Sequence, residues 1–127
     1  MRLIDDAERR ARMARRHALA PQHRTESVLD AVRAVGVLHA TEPATPYLSL
    51  HARMHDFARD EYERELWEER SLVKQLAMRR TMFVLPRETL RDAVGAVGPR
   101  VAASERTNML RDLRRSSDFP DPDGWID

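Results

Sequence analysis

The chain has no cysteine, only four glycines, and just two Trp, two Tyr and three Phe in 127 residues. Without thiols it cannot form disulfides, cysteine-ligated zinc sites, iron–sulfur clusters or a thiol nucleophile. Lack of cysteine also fits a reducing compartment. No apolar run approaches the ~20 residues that a membrane-crossing helix needs. The opening MRLIDDAERR lacks the apolar core of a signal peptide, so a cytoplasmic protein is expected, without a membrane partner. The scattered glycines make no phosphate-cradling loop, and no cofactor is expected. An excess of charge is missing too. There are 22 basic and 21 acidic residues, for a net charge of +1, so the distribution of charge says more than its sum. The length suits one domain, able to bury roughly two thirds of its unfolded surface.

What is present reads mainly as helix. Asp5 to Leu19 starts with acids and ends with Arg15, Arg16 and His17, as the helix dipole favours, and Pro21 closes it. Ser27 with Asp30 resembles a capping box. Val28, Val32 and Val35 follow at helical spacing, and Pro43 requires the chain to have left that helix by about residue 42. Thr45–Pro46 predicts an N-cap followed by proline at the first helical position, with Tyr47, Leu50, His51 and Met54 on one face. A fourth helix is expected over residues 58–70, with Tyr62 and Leu66 inward and Trp67 beside them.

The texture then changes. TMFVL, closed by Pro86, reads as a strand. LVKQLAM can pair with it around Arg79–Arg80, as a hairpin with a two-residue basic tip. Arg-Arg is unusual there, because such turns favour Asn-Gly or Asp-Gly. Beyond Pro86, Leu90, Val94, Val97 and Val101 recur at helical spacing. Gly98–Pro99 predicts a division into two helices, 87–97 and 99–115. The final SSDFPDPDGWID suggests no element. Three or more helices followed by a hairpin is the winged-helix plan, a helix-turn-helix variant. The expected fold is therefore mainly α, winged-helix, with a short two-stranded β-hairpin. It divides into a winged-helix-like domain over residues 1–115 and an acidic, disordered or truncated tail over 116–127.

Charge is segregated along the chain. Residues 1–24 hold seven Arg against three acids, residues 56–69 seven acids against two Arg, and residues 70–80 four basic residues and no acid. DNA binding needs Lys and Arg arrayed along phosphates. The candidates are Arg53, Lys74, Arg79 and Arg80, with Arg12, Arg15 and Arg16 on the first helix. The alternative is a solvated face, with Arg70 or Lys74 paired to the acids of 56–69. The pI of about 8.3 lies below the value of about 9 typical of dedicated DNA-binding domains, so binding is expected to be weak and salt-sensitive.

Three of the five histidines, His39, His51 and His55, fall within LHATEPATPYLSLHARMH. His51 and His55 are four apart, a spacing that suits two metal ligands on one helix face. His39 or Glu42 would supply a third. Ala52 follows His51, so the H-E-x-x-H pattern is absent, and no metal site is expected. His39 can orient water or act as a base near neutral pH. The plainer reading of the stretch is a turn between two helices.

Two segments carry a resemblance. LHATEPATPYLSLHAR (38–53) and WEERSLVKQLAMRRTMFVLPR (67–87) resemble bacterial winged-helix DNA-binding domain-containing proteins. These are related to the DNA glycosylases that unhook interstrand crosslinks and excise alkylated bases. GPRVAASER and DGWID are similar to family text as well. The resemblance covers roughly residues 1–115 and implies a match to the N-terminal part of longer, multi-unit proteins. Those glycosylases carry a Gln-apolar-Gln or Gln-apolar-Asp triplet whose polar side chains hold the attacking water. This chain has His39-Ala40-Thr41 at that place.

The resemblance thus implies His39 and Thr41 as catalytic candidates. Thr41 is a shorter, neutral side chain, poorer at stabilising positive charge on the sugar. The implied function is a DNA-binding winged-helix protein that is a truncated or catalytically incomplete relative of DNA glycosylases. Its partner is double-stranded DNA, bound non-specifically or at lesions. Two alternatives stand beside it. One is a glycosylase excising alkylated bases with His39 activating water. The other is a non-catalytic interaction module, with Trp125 and Ile126 meeting missing C-terminal domains or a second copy.

Overall fold

Ser27 opens the helix around which the molecule is built. Its Oγ accepts from the Asp30 N–H at 3.1 Å and donates to the Asp30 carboxylate at 2.8 Å, occupying an amide that a helix start leaves unpaired. A computed structural model describes residues 3–116 and 118–126. The charge of Arg2, and the parts of the tail at Ser117 and Asp127, lie outside the described residues. The cap starts α2, Val28–Val35, whose Val28, Ala31 and Val32 are buried. Gly36 ends it at φ 87°, with its N–H donating to Val32 and Arg33 carbonyls. That left-handed position favours glycine. Ser27→Ala is expected to cost about 1 kcal/mol, read as a lower urea midpoint at an unchanged slope.

Before α2, α1 spans Asp6–Arg16, capped by Asp5, which accepts from the Glu8 N–H at 2.7 Å. None of its residues is buried, so its arginines line a solvated rod. After α2 come β1 (Leu38–His39), α3 (Thr45–His51), α4 (Arg59–Trp67), β2 (Leu72–Leu76) and β3 (Met82–Pro86). The long α5 (Leu90–Leu113) and the short α6 (Pro122–Ile126) complete the chain. The fold is mainly α with a small antiparallel sheet.

The predicted hairpin is present, with β2 and β3 paired from Leu72–Pro86 to Leu76–Met82. A third strand joins it. β1 pairs with β3, Leu38 opposite Val84 and His39 opposite Phe83, so the sheet order is β1-β3-β2. Two residues are too few to show a strand period in sequence. Leu38, only 2% exposed, is held there by burial against the core. One face of the sheet closes on Val28, Val32, Leu50, Met54, Tyr62 and Leu66.

Other details depart from expectation. α3 begins one residue early, so Ala44 and not Thr45 is the N-cap, without a side-chain cap bond. Leu50 and Met54 are buried, but His51 is exposed, because it sits at the margin of the stripe that Tyr47, Leu50 and Met54 define. α4 ends at Trp67, and Trp67 is 67% exposed instead of packing beside Leu66. Arg70, at φ 54°, turns the chain toward β2. α5 runs unbroken through Pro99. A proline inside a helix forfeits one ladder bond, here the bond to Gly95, but helical spacing resumes on both sides and one missing bond does not divide the rod. The tail forms a one-turn helix after all. Asp123 takes two hydrogen bonds from Arg114, at 2.8 and 2.9 Å, and Trp125 meets Phe119 edge to face at 5.4 Å.

Candidate functional site

The triplet His39-Ala40-Thr41 is stitched to the start of β3. The Ala40 N–H donates to the Met82 carbonyl at 2.8 Å, and the Met82 N–H donates to Thr41 Oγ1 at 3.3 Å. Ala40 is buried at 1% exposure, while His39 and Thr41 are exposed. Strand alternation therefore turns the two polar side chains to the same outer side. The His39 ring lies edge to face against Phe83, centroids 5.3 Å apart, a contact that favours this orientation. In the same row of the sheet Gln75 lies opposite Phe83. His39, Phe83 and Gln75 thus form an outward-facing file.

The hairpin tip follows directly. Arg79 and Arg80 both have left-handed backbone, at φ 54° and 58°. The turn closes by a bond from the Thr81 N–H to the Met78 carbonyl at 3.2 Å. Two left-handed central residues suit a tight hairpin, where Asn-Gly is the usual choice. Non-glycine residues adopt this conformation at a cost of about 1–2 kcal/mol each. The two arginines therefore occupy the one place in the hairpin where their backbone is least comfortable.

Their side chains differ. Arg80 forms an ion pair with Glu105 of α5. Arg79 has no ion pair among the described residues, and with Arg80, Arg100, Met78, Val97, Val101 and Ser104 it borders a cleft of about 420 Å³ between tip and α5. No sequence motif singles out Arg100. The folding of α5 alongside the tip, which its heptad-like spacing does not reveal, brings it here.

The remaining candidates separate. Arg53 is half-buried and bonds to its own segment. Its Nη1 donates to the Ser49 carbonyl at 2.7 Å and to Ser49 Oγ at 2.8 Å, and its Nε is buried without a partner. Burial lowers its pKa. Lys74 lies on β2, on the opposite edge of the sheet from His39, and is exposed. Neither Lys74 nor Arg70 pairs with the acids of 56–69 among the described residues. Two of those acids have nearer partners: Glu63 receives bonds from Arg59 at 2.6 Å and Tyr47 at 3.2 Å, and Glu65 accepts from Ser71. The bond from Arg59 holds the Glu63 carboxyl below its ordinary range.

His51 and His55 are not completed into a ligand set. His55 lies 3.9 Å from Glu26, and among the described residues no three His, Asp or Glu side chains gather in a group able to hold a metal. None of the described helices is long and apolar enough to cross a membrane.

A family model described as "DNA glycosylase AlkZ-like" matches residues 32–121. That span takes in the His39–Thr41 triplet, the whole sheet and α5. Comparison with curated proteins and with solved structures returns no match.

Proposed function

The chain belongs to the AlkZ-like DNA glycosylase family, and from that premise we propose that it binds duplex DNA as a winged-helix module, with the β2–β3 hairpin as the wing. The element order from α2 to β3 is helix, strand, helix, helix, strand, strand, which agrees with this plan. The observation that carries the reading is the juxtaposition at one end of the sheet. The Arg79–Arg80 tip and the outward His39–Thr41 pair both abut the first residues of β3.

The charge of α4 supports a wing-led contact. A helix-turn-helix protein lays its second helix in the major groove. Here α4 carries Asp60, Glu61, Glu63 and Glu65 against Arg59 and Arg64, a balance that phosphates repel. The tip has no acid of its own and can reach a phosphate or a narrow groove. The test is fluorescence anisotropy of a labelled duplex titrated with the protein at two salt concentrations. Saturable binding that weakens with salt is expected. A folded protein that leaves anisotropy unchanged at low salt would sink the proposal.

A second reading, base excision with His39 orienting the attacking water, is favoured by one feature. The His39 ring is exposed and packs edge to face on Phe83, and its nitrogens make no hydrogen bond among the described residues. The unprotonated nitrogen of the neutral ring is free to accept from a water. Thr41 adds only a neutral hydroxyl, so activity is expected to be low. If the protein releases a base from alkylated duplex, His39→Ala should slow release by about 100-fold or more, as loss of a general base does. Unchanged release would remove His39 from the mechanism.

A further inference from the structure

On the far side of the sheet from His39, a cleft of about 520 Å³ is lined by Leu66, Trp67, Arg70, Leu72, Val73, Lys74, Arg87 and Leu90. Three features of it stand out together. Trp67 is 67% exposed at the end of α4, an indole left in water beside an apolar floor. Arg70, Lys74 and Arg87 border the same cleft and are exposed. None of the three makes an ion pair among the described residues, although acids pair with many other arginines of the chain. Among the described residues no acidic side chain lines the cleft. Glu68 and Glu69 follow Trp67 in sequence but stay outside it.

An exposed aromatic face with a cationic rim is the chemistry that holds unpaired nucleotides. Bases stack on the ring whatever their identity, and cations follow the phosphates. The rim is supplied by three separate segments: the turn after α4, the edge strand β2, and the start of the segment after β3. That distribution suits an extended strand crossing the cleft better than a single compact anion. We propose that this cleft binds single-stranded nucleic acid, one base stacking on Trp67 while Arg70, Lys74 and Arg87 take the flanking phosphates. The site is distinct from the hairpin tip and shares with the duplex reading only the premise that the chain meets nucleic acid.

The chain has two tryptophans, so Trp125→Phe leaves Trp67 as the sole indole and makes its emission specific. Titration of that protein with a short oligothymidylate at low salt is expected to quench the emission saturably. Arg70→Ala/Arg87→Ala in the same background should weaken the interaction about tenfold and flatten its salt dependence. In the otherwise native chain, Trp67→Ala should weaken oligothymidylate binding, followed by anisotropy, by about tenfold. All these side chains are exposed, so circular dichroism should show an unchanged fold.

Absence of quenching from a protein that still binds duplex would overturn this inference and leave the hairpin reading standing. Quenching retained in a protein that ignores duplex would support the cleft and overturn the hairpin reading. Quenching by oligoglutamate at the same concentrations would overturn the stacking, because charge alone would then suffice.

Discussion

Val84→Asp is expected to eliminate the folded state at neutral pH. Val84 sits in the middle of β3, wholly buried, with Leu38 opposite it on one side and Lys74 on the other. Its burial contributes roughly 1.5–3 kcal/mol. An aspartate there would lose that and bring a carboxylate into the core, at a further cost of several kcal/mol that the exposed Lys74 ammonium opposite it offsets only in part. A domain of this kind has only about 5–15 kcal/mol of total stability, so the two losses together consume most or all of it. Circular dichroism should show no cooperative melt. Leu48→Asp is the matched control. Leu48 is 68% exposed, and the same charge there should change stability by no more than about 0.5 kcal/mol. A cooperative Val84→Asp melt close to that of the parent chain would mean that β3 is not the centre of the core.

The contrast between those two residues marks what the sequence could and could not convey. β3 announced itself through a β-branched and aromatic run closed by proline, and the α2 cap through Ser27 and Asp30. Both signals are local. β1 carried no such signal, since two residues have no measurable period, and its strand state comes from pairing with β3, His39 opposite Phe83, far along the chain. Trp67 misled for a related reason. Helical spacing put it beside Leu66, but a helix has only one face toward a core, and Tyr62 with Leu66 already fills it. Pro99 misled because a single lost hydrogen bond is small beside the rest of a 24-residue helix.

The site was legible in its parts and not in its assembly. Adjacent outward polar residues about a buried alanine follow from strand alternation once β1 is known. The closeness of Thr41 to the hairpin does not, since it depends on the Met82 N–H to Thr41 hydrogen bond. Basic residues close in sequence also part company. Lys74 falls with Trp67, Arg70 and Arg87, while Arg79 and Arg80 fall with Arg100. The five positions from Lys74 to Arg79 are enough to separate them, because the hairpin carries one group at its edge and the other at its tip.

Arg79→Ala/Arg80→Ala should lower duplex affinity roughly 10- to 100-fold at low salt, the scale expected when two charge-assisted contacts are lost. The salt slope is the sharper measure. Each phosphate neutralised contributes about 0.9 to the logarithmic slope on B-form DNA, so loss of both arginines should reduce it by close to 2. Arg80 must exchange its ion pair with Glu105 for a phosphate. Glu105→Gln should therefore tighten binding a few-fold, which a purely structural Arg80 would not produce.

A second double variant separates charge from backbone. Arg79→Asn/Arg80→Gly removes the same charges but supplies residues suited to left-handed backbone, and relief at φ 54° and 58° should raise stability by about 1 kcal/mol or more. If the tip contacts DNA through its charge, this more stable protein binds as poorly as the alanine variant. If it binds like the parent chain, the arginines are only turn formers and the duplex contact lies elsewhere.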